Sequence, residues 1–187
     1  AAGFAALHAR AYAQEPAGSG VLKAGLLGCG GRGGGAAMQF LQGNENVKLV
    51  ALADLFQDKV DAKRKEIGEH QNPAIRDKYD VADDRCFVGL DAYKRIIDSG
   101  IDVLIEGTLP YSRPKHLVAA MEAGKHIFTE KPVAVDPVGI RMILEGAKAH
   151  KEAGLSFVAG TQRRHEKPYQ GTVKRVHDGA VGGIRAG

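Results

Sequence analysis

Six glycines in eight residues constrain this 187-residue chain more than anything else in it. The run Gly28-Cys29-Gly30-Gly31-Arg32-Gly33-Gly34-Gly35 follows directly on the apolar stretch Val21-Leu22-Lys23-Ala24-Gly25-Leu26-Leu27. A helical pattern over residues 36–41 comes next and is closed by Gly43-Asn44. A short apolar run of this kind reads as a strand buried on both faces. Glycines spaced as Gly28-x-Gly30-x-x-Gly33 between a strand and a helix match the fingerprint of a dinucleotide-binding turn. The first glycine permits the tight turn, the second lets backbone approach a pyrophosphate, and the third lets the helix pack on the strand. Backbone N–H groups and the positive helix end then attract the phosphates.

The rest of the chain repeats the alternation. Residues 47–53 form an apolar strand closed by Asp54, and a charged helix follows over 57–69. Residues 72–84 are polar, carry Pro73 and read as a connection. Further strands are expected at 85–89, 101–105, 126–129 and 155–159. Helices are expected at 90–99, 114–123, 136–153 and 167–178, most of them ended by glycine. Five strand–helix repeats with short connections imply an α/β fold, a doubly wound parallel sheet of the Rossmann type.

Composition removes several alternatives. Gly accounts for 25 residues without a repeat, which excludes a collagen-like chain. Lys+Arg exceed Asp+Glu by 26 to 22, but the basic residues are scattered and Trp is absent, so a nucleic-acid partner is not expected. The cysteines, Cys29 and Cys86, lack zinc-type spacing and read as small buried hydrophobes, and no metal site is expected. No apolar stretch is long enough for a membrane span.

Asp54 ends the second strand 24 residues after Gly30, near the spacing of the ribose-binding acid. A carboxylate there accepts from the 2′- and 3′-hydroxyls and repels a 2′-phosphate. The neighbouring Leu55 and Phe56 supply no cation, so NAD is favoured over NADP. These features alone also suit an S-adenosylmethionine-dependent methyltransferase. The discriminating segment is Glu130-Lys131-Pro132, placed at the carboxyl edge of the fifth strand, where open α/β sheets bind ligands.

The stretch Ala123-Gly124-Lys125-His126-Ile127-Phe128-Thr129-Glu130-Lys131-Pro132 resembles the AGKH(V/I)xxEKP signature of the Gfo/Idh/MocA oxidoreductases. Gly160-Thr161-Gln162-Arg163-Arg164-His165 resembles that family's next landmark, and the loop from Thr108 to Pro114 stands where the family has a Thr-Pro-Pro-type segment. Leu109, Glu106 and Gly107 depart from the pattern there. The resemblance implies that Gly28, Gly30 and Gly33, with Gly31 and Arg32 in the same turn, hold the pyrophosphate, and that Asp54 holds the ribose. Thr108, Pro110, Glu130, Lys131 and Arg164 would line the rest of the cofactor site, with Lys131 as the catalytic residue facing a sugar or cyclitol carbon. Hydride transfer between nicotinamide and a hydroxyl carbon is the implied chemistry. An NAD-dependent glycosidase and a non-catalytic dinucleotide binder of the same family stay open.

By the same resemblance, 21–165 is the dinucleotide-binding domain and 166–187 a connecting helix with the start of a truncated second α/β domain, through which the protein would form a homo-oligomer. Residues 1–20 read as a leader remnant and linker, because Ala11-Tyr12-Ala13 before Gln14-Glu15-Pro16 resembles a signal-peptidase site. That pattern makes an exported or periplasmic protein the expectation, with the cytoplasm as the alternative.

Overall fold

The computed structural model describes residues 20–185. The leader and linker expected before the sheet therefore fall, except for Gly20, outside the described residues. Six strands alternate with helices: β1 (Leu22–Leu27), α1 (Gly31–Gly43), β2 (Val47–Asp54), α2 (Gln57–Gly68), α3 (Pro73–Arg76), β3 (Cys86–Val88), α4 (Ala92–Ile97), β4 (Val103–Glu106), α5 (Arg113–Glu122), β5 (His126–Thr129), α6 (Pro137–Glu152), β6 (Phe157–Ala159) and α7 (Lys167–His177). The sheet order is β3-β2-β1-β4-β5-β6, and every pairing is parallel. The order reverses between β1 and β4, so a crevice opens there at the carboxyl edge.

Side chains alternate across the sheet into two cores. Ala24, Leu26, Leu49, Leu52 and Ile105 face α1 and α2 through Ala37, Leu41, Val60 and Ile67. Leu27, Ala53, Leu104 and Ile127 face α4, α5 and α6 through Ile96, Leu117 and Ile143. One irregularity interrupts the β1–β2 register: Ala24 pairs with Leu49 and Gly25 with Ala51, which leaves Val50 as an extra residue. Val50 and Ala51 consequently both point into the second core.

Three sequence expectations are corrected. Helix α1 starts at Gly31, so Gly31, Gly33, Gly34 and Gly35 lie inside the helix and not in a loop. The polar connection holds α3, whose start is capped by Asn72 accepting from the Ala74 N–H at 3.0 Å, and it touches the sheet through a Leu49–Tyr79 bridge. Strand β4 reaches Glu106, placing a carboxylate at the buried end of a strand. Asp136 does cap α6 as expected, accepting from the Gly139 N–H at 2.7 Å.

Close backbone approach explains part of the glycine run. Gly28 has φ +97°, and a Cβ there would stand 2.6 Å from the Gly107 carbonyl carbon. A Cβ on Gly33 would meet the Gly28 carbonyl oxygen at 2.0 Å, while one on Gly107 would meet the Gly33 Cα at 2.5 Å. Gly34 is different, because the Lys63 side chain lies across it and its neighbour is the end of a flexible chain. Gly33→Ala is therefore expected to destabilise by at least about 2 kcal/mol through overpacking against backbone. Gly34→Ala should cost less, since Lys63 can swing aside and alanine gains about 1 kcal/mol of helix propensity over glycine. Urea unfolding of the two variants checks this, and equal losses would contradict it.

Candidate functional site

The carboxyl edge of the sheet collects most of the residues expected to matter. Gly30 caps α1 without a side-chain acceptor, and the first turn holds no acidic residue, so no side chain of that turn itself neutralises the helix end. Open space lies where a Cβ on Gly30 or Gly31 would project. The turn therefore presents bare backbone N–H groups at a positive helix terminus, which suits a bridging diphosphate.

Asp54 stands beside this turn at the end of β2. Its Oδ2 accepts from the Cys29 N–H at 2.7 Å and its Oδ1 from the Phe56 N–H at 3.1 Å. A carboxylate offers about four acceptor directions, so two remain for hydroxyl donors. Leu55 and Phe56 are exposed beside it and bring no positive charge. The residues thus fit a dinucleotide with a free ribose.

Cys29 is buried under the same turn, with its Sγ 3.5 Å from the Ala53 carbonyl oxygen. Burial, reinforced by the nearby Asp54 charge, pushes its thiol up to about 12. It is a packing residue and not a nucleophile, as its position between two glycines suggests.

The other half of the site hangs from β4 and β5. Glu130 is 3% exposed, and its Oε1 accepts from Arg32 Nη2 at 2.6 Å, which ties the start of α1 to the end of β5. Lys131 is exposed next to it, and its side chain forms no hydrogen bond among the described residues. The Lys131–Pro132 peptide is cis. Thr108 and Pro110 lie on the turn between β4 and α5, both half-buried. Arg164 departs from this cluster: it lies on the exposed turn after β6, and its carbonyl accepts from Gln170 Nε2 at 2.8 Å.

Sequence reasoning missed the pair beneath the cluster. Glu106 is fully buried and Arg113 is 4% exposed. Arg113 Nε lies 2.9 Å from Glu106 Oε2, but its N–H is not aimed along that line, so the contact is an ion pair without a hydrogen bond. The rest of the guanidinium donates to the Glu130 carbonyl at 2.8 Å and to the Pro132 and Thr108 carbonyls, each at 2.5 Å. Glu106 also accepts from the Thr108 hydroxyl, from the Thr108 N–H at 3.2 Å and from Thr129 Oγ1 at 3.1 Å. His116 closes the network, with Nδ1 3.3 Å from Thr108 Oγ1 and its ring stacked on Tyr93 at 4.7 Å. The departure of Glu106 from a small apolar residue was the available signal; its partner seven residues on gave none.

Among the described residues no group of three His, Cys, Asp or Glu side chains can hold a metal ion. No helix there is long and apolar enough to cross a membrane.

Comparisons with known proteins agree with this fold. A model of the Gfo/Idh/MocA family, described as an oxidoreductase family with an NAD-binding Rossmann fold, matches residues 22–157. Inositol 2-dehydrogenase of Acidothermus cellulolyticus is 32% identical over 93 residues, covering 49% of this chain and 26% of that protein. Inositol 2-dehydrogenase/D-chiro-inositol 3-dehydrogenase of Halalkalibacterium halodurans is 28% identical over 162 residues, covering 86% of this chain and 41% of that protein. The crystal structure of scyllo-inositol dehydrogenase from Lactobacillus casei, with NAD(H) and scyllo-inositol bound, superposes with a TM-score of 0.69 at 24% identity. That match covers 88% of this chain and 43% of the other, and at this identity it speaks for the fold alone. The chain spans less than half the length of these relatives.

The Cys29 environment has a measurable consequence. Its thiol ionises near 9.0 ordinarily and near 12 in the fold, so the folded state keeps a proton that the unfolded chain loses. Stability carried by Cys29 is complete below the lower value and falls as pH climbs towards the upper one. The stability gap between wild type and Cys29→Ala is expected to shrink by about 1.4 kcal/mol per pH unit across that window. Urea unfolding from pH 8 to pH 11 reads this directly, and a constant gap would contradict it.

Proposed function

Because the chain belongs to the Gfo/Idh/MocA oxidoreductases and has their NAD-binding Rossmann fold, we propose that it grips NAD along the carboxyl edge of its sheet, as part of an enzyme that moves a hydride to or from a hydroxyl-bearing carbon of a sugar or cyclitol. One observation carries the reading: the N-terminus of α1, the Asp54 carboxylate and the Glu130–Lys131 segment lie together at the carboxyl edge of the sheet. Inositol as the substrate class is supported by the names of the relatives in sequence.

In this reading the glycine turn binds the diphosphate with N–H groups of Gly30, Gly31, Arg32 and Gly33. Asp54 accepts from both hydroxyls of the adenosine ribose, and its charge repels a phosphate at the 2′ position, which favours NAD over NADP. Thr108 and Pro110 border the nicotinamide end. NAD held there would supply the hydride acceptor and donor. Lys131, exposed and without a side-chain hydrogen bond among the described residues, donates a hydrogen bond to the reacting oxygen and stabilises negative charge developing there. Glu130 is held by Arg32, and that tie keeps the segment carrying Lys131 against the start of α1.

Two substitutions test the reading in the full-length protein. Asp54→Ala should weaken NAD by about 1.5–3 kcal/mol, the scale of hydrogen bonds to a charged group, while NADP loses less. Calorimetry with both cofactors measures this, and unchanged affinities would remove the ribose assignment. Lys131→Met should leave NAD affinity within about twofold, because in this reading its ammonium acts on the reacting oxygen in the transition state and not on the phosphates. Single-turnover hydride transfer with a panel of inositols and aldoses should slow by about 10²–10⁴-fold. A wild-type rate in that variant would remove Lys131 from the chemistry, and turnover without net NADH would indicate transient oxidation instead.

A further inference from the structure

We propose that Arg113 is the positioning residue of the nicotinamide end: by holding the carbonyls of Thr108, Glu130 and Pro132 on one guanidinium, with Glu106 as its buried counter-ion, it fixes where Lys131 and Thr108 stand. The inference rests on the dinucleotide reading above and deepens it.

The argument begins with what holds Lys131. Its own side chain is exposed and makes no hydrogen bond among the described residues, so its place depends on its backbone. The carbonyls immediately before and after it, on Glu130 and Pro132, both accept from Nη1 of Arg113, at 2.8 and 2.5 Å. The other terminal nitrogen reaches the Thr108 carbonyl at 2.5 Å, on the turn after β4. Two loops that are 20 and more residues apart in sequence are thereby locked to one rigid, planar group. An ammonium is a point charge and cannot reproduce this fork.

Arg113 is itself fixed from two sides. It is the first residue of α5, and the buried ring of Pro114 behind it packs on Gly139, where a Cβ would stand only 2.7 Å from Pro114 Cγ. In front of it the fully buried Glu106 supplies the compensating charge. Glu106 also accepts from the Thr108 N–H and hydroxyl, so the same carboxylate orders the Thr108 turn from within. None of these atoms needs to touch cofactor or substrate. Their effect is to set distances, and a misplacement of 1 Å at a reacting centre costs about 10²-fold in rate.

The test separates positioning from mere support of the fold. It uses the full-length protein with ADP-ribose and NADH as probes, which share the adenosine and diphosphate and differ in the nicotinamide. Arg113→Lys keeps a charge opposite Glu106 but gives up the shared carbonyl ties. ADP-ribose affinity is expected to stay within about twofold of wild type, since its contacts lie elsewhere. NADH should lose about tenfold relative to ADP-ribose, and emission from the bound dihydronicotinamide should move towards that of free NADH. The double variant Glu106→Leu/Arg113→Met removes both charges while filling similar volume, a change that folds tolerate. It should show the same split between the two ligands.

Equal weakening of both ligands in Arg113→Lys would make Arg113 a structural residue and overturn the proposal, as would wild-type behaviour towards both. Wild-type protein that binds neither probe would overturn the dinucleotide reading itself, a distinct result visible before any variant is made.

Discussion

Three backbone segments meet at Gly28, Gly33 and Gly107 with no side chain between them, and the site is built outward from that contact. Each of the three would drive a Cβ into the backbone of another, at 2.6, 2.0 and 2.5 Å. The contact seats the first turn of α1 directly over the gap between β1 and β4, where the strand order reverses. A helix held one side chain further out would aim its N–H groups past the crevice instead of into it. Hence the close approach is at once a tight backbone packing and the condition for an anion to be held by backbone alone.

Around this contact the two halves of the edge are stabilised by different physics. On the β2 side, Asp54 stays partly solvated and bonded to two backbone N–H groups, so it carries its charge cheaply. On the β4 and β5 side, Glu106 and Arg113 are withdrawn from water. Burying such a pair is costly, and it seldom adds net stability over an apolar pair of equal size. Its retention is accounted for by what the guanidinium holds: three carbonyls from two loops, brought onto one planar group. Arg32 adds a more exposed strap from α1 to Glu130. Shape fixes the adenosine side, and a charge network fixes the other.

Much of this was legible in the order of residues. Alternating apolar runs and glycine-ended helices revealed the parallel sheet, and the strand-end positions of Asp54 and Glu130 followed from it, because a parallel sheet gathers all its strand ends on one edge. What stayed hidden depends on contacts between distant segments. Nothing local distinguishes the glycines of a phosphate turn from those inside α1, so the helix start was placed at residue 36 when it lies at Gly31. Gly34 makes room for Lys63, a residue on α2 that composition alone counts as one more surface cation, and which is in fact 5% exposed. Arg113 looked like an ordinary polar residue in a loop. Its role appears only when β4 and β5 are paired, Glu106 beside Thr129, which brings the two carbonyl-bearing loops under the start of α5.

That pairing also explains why Glu106 tolerates complete burial. Strand β4 is central, flanked by β1 and β5 and covered by helices on the faces of the sheet, so the side chain of its last residue is enclosed by packed elements. A carboxylate at such a point must find donors inside the protein. It finds them in the Thr108 hydroxyl and N–H along its own chain and in Thr129 on the neighbouring strand, and a counter-charge in Arg113 from the helix above. Every one of those donors belongs to a segment that borders the crevice. A charge placed at the end of this strand therefore acts as an organiser of the loops around it, and any residue there that could not accept hydrogen bonds would have to leave those loops to be ordered by some other means.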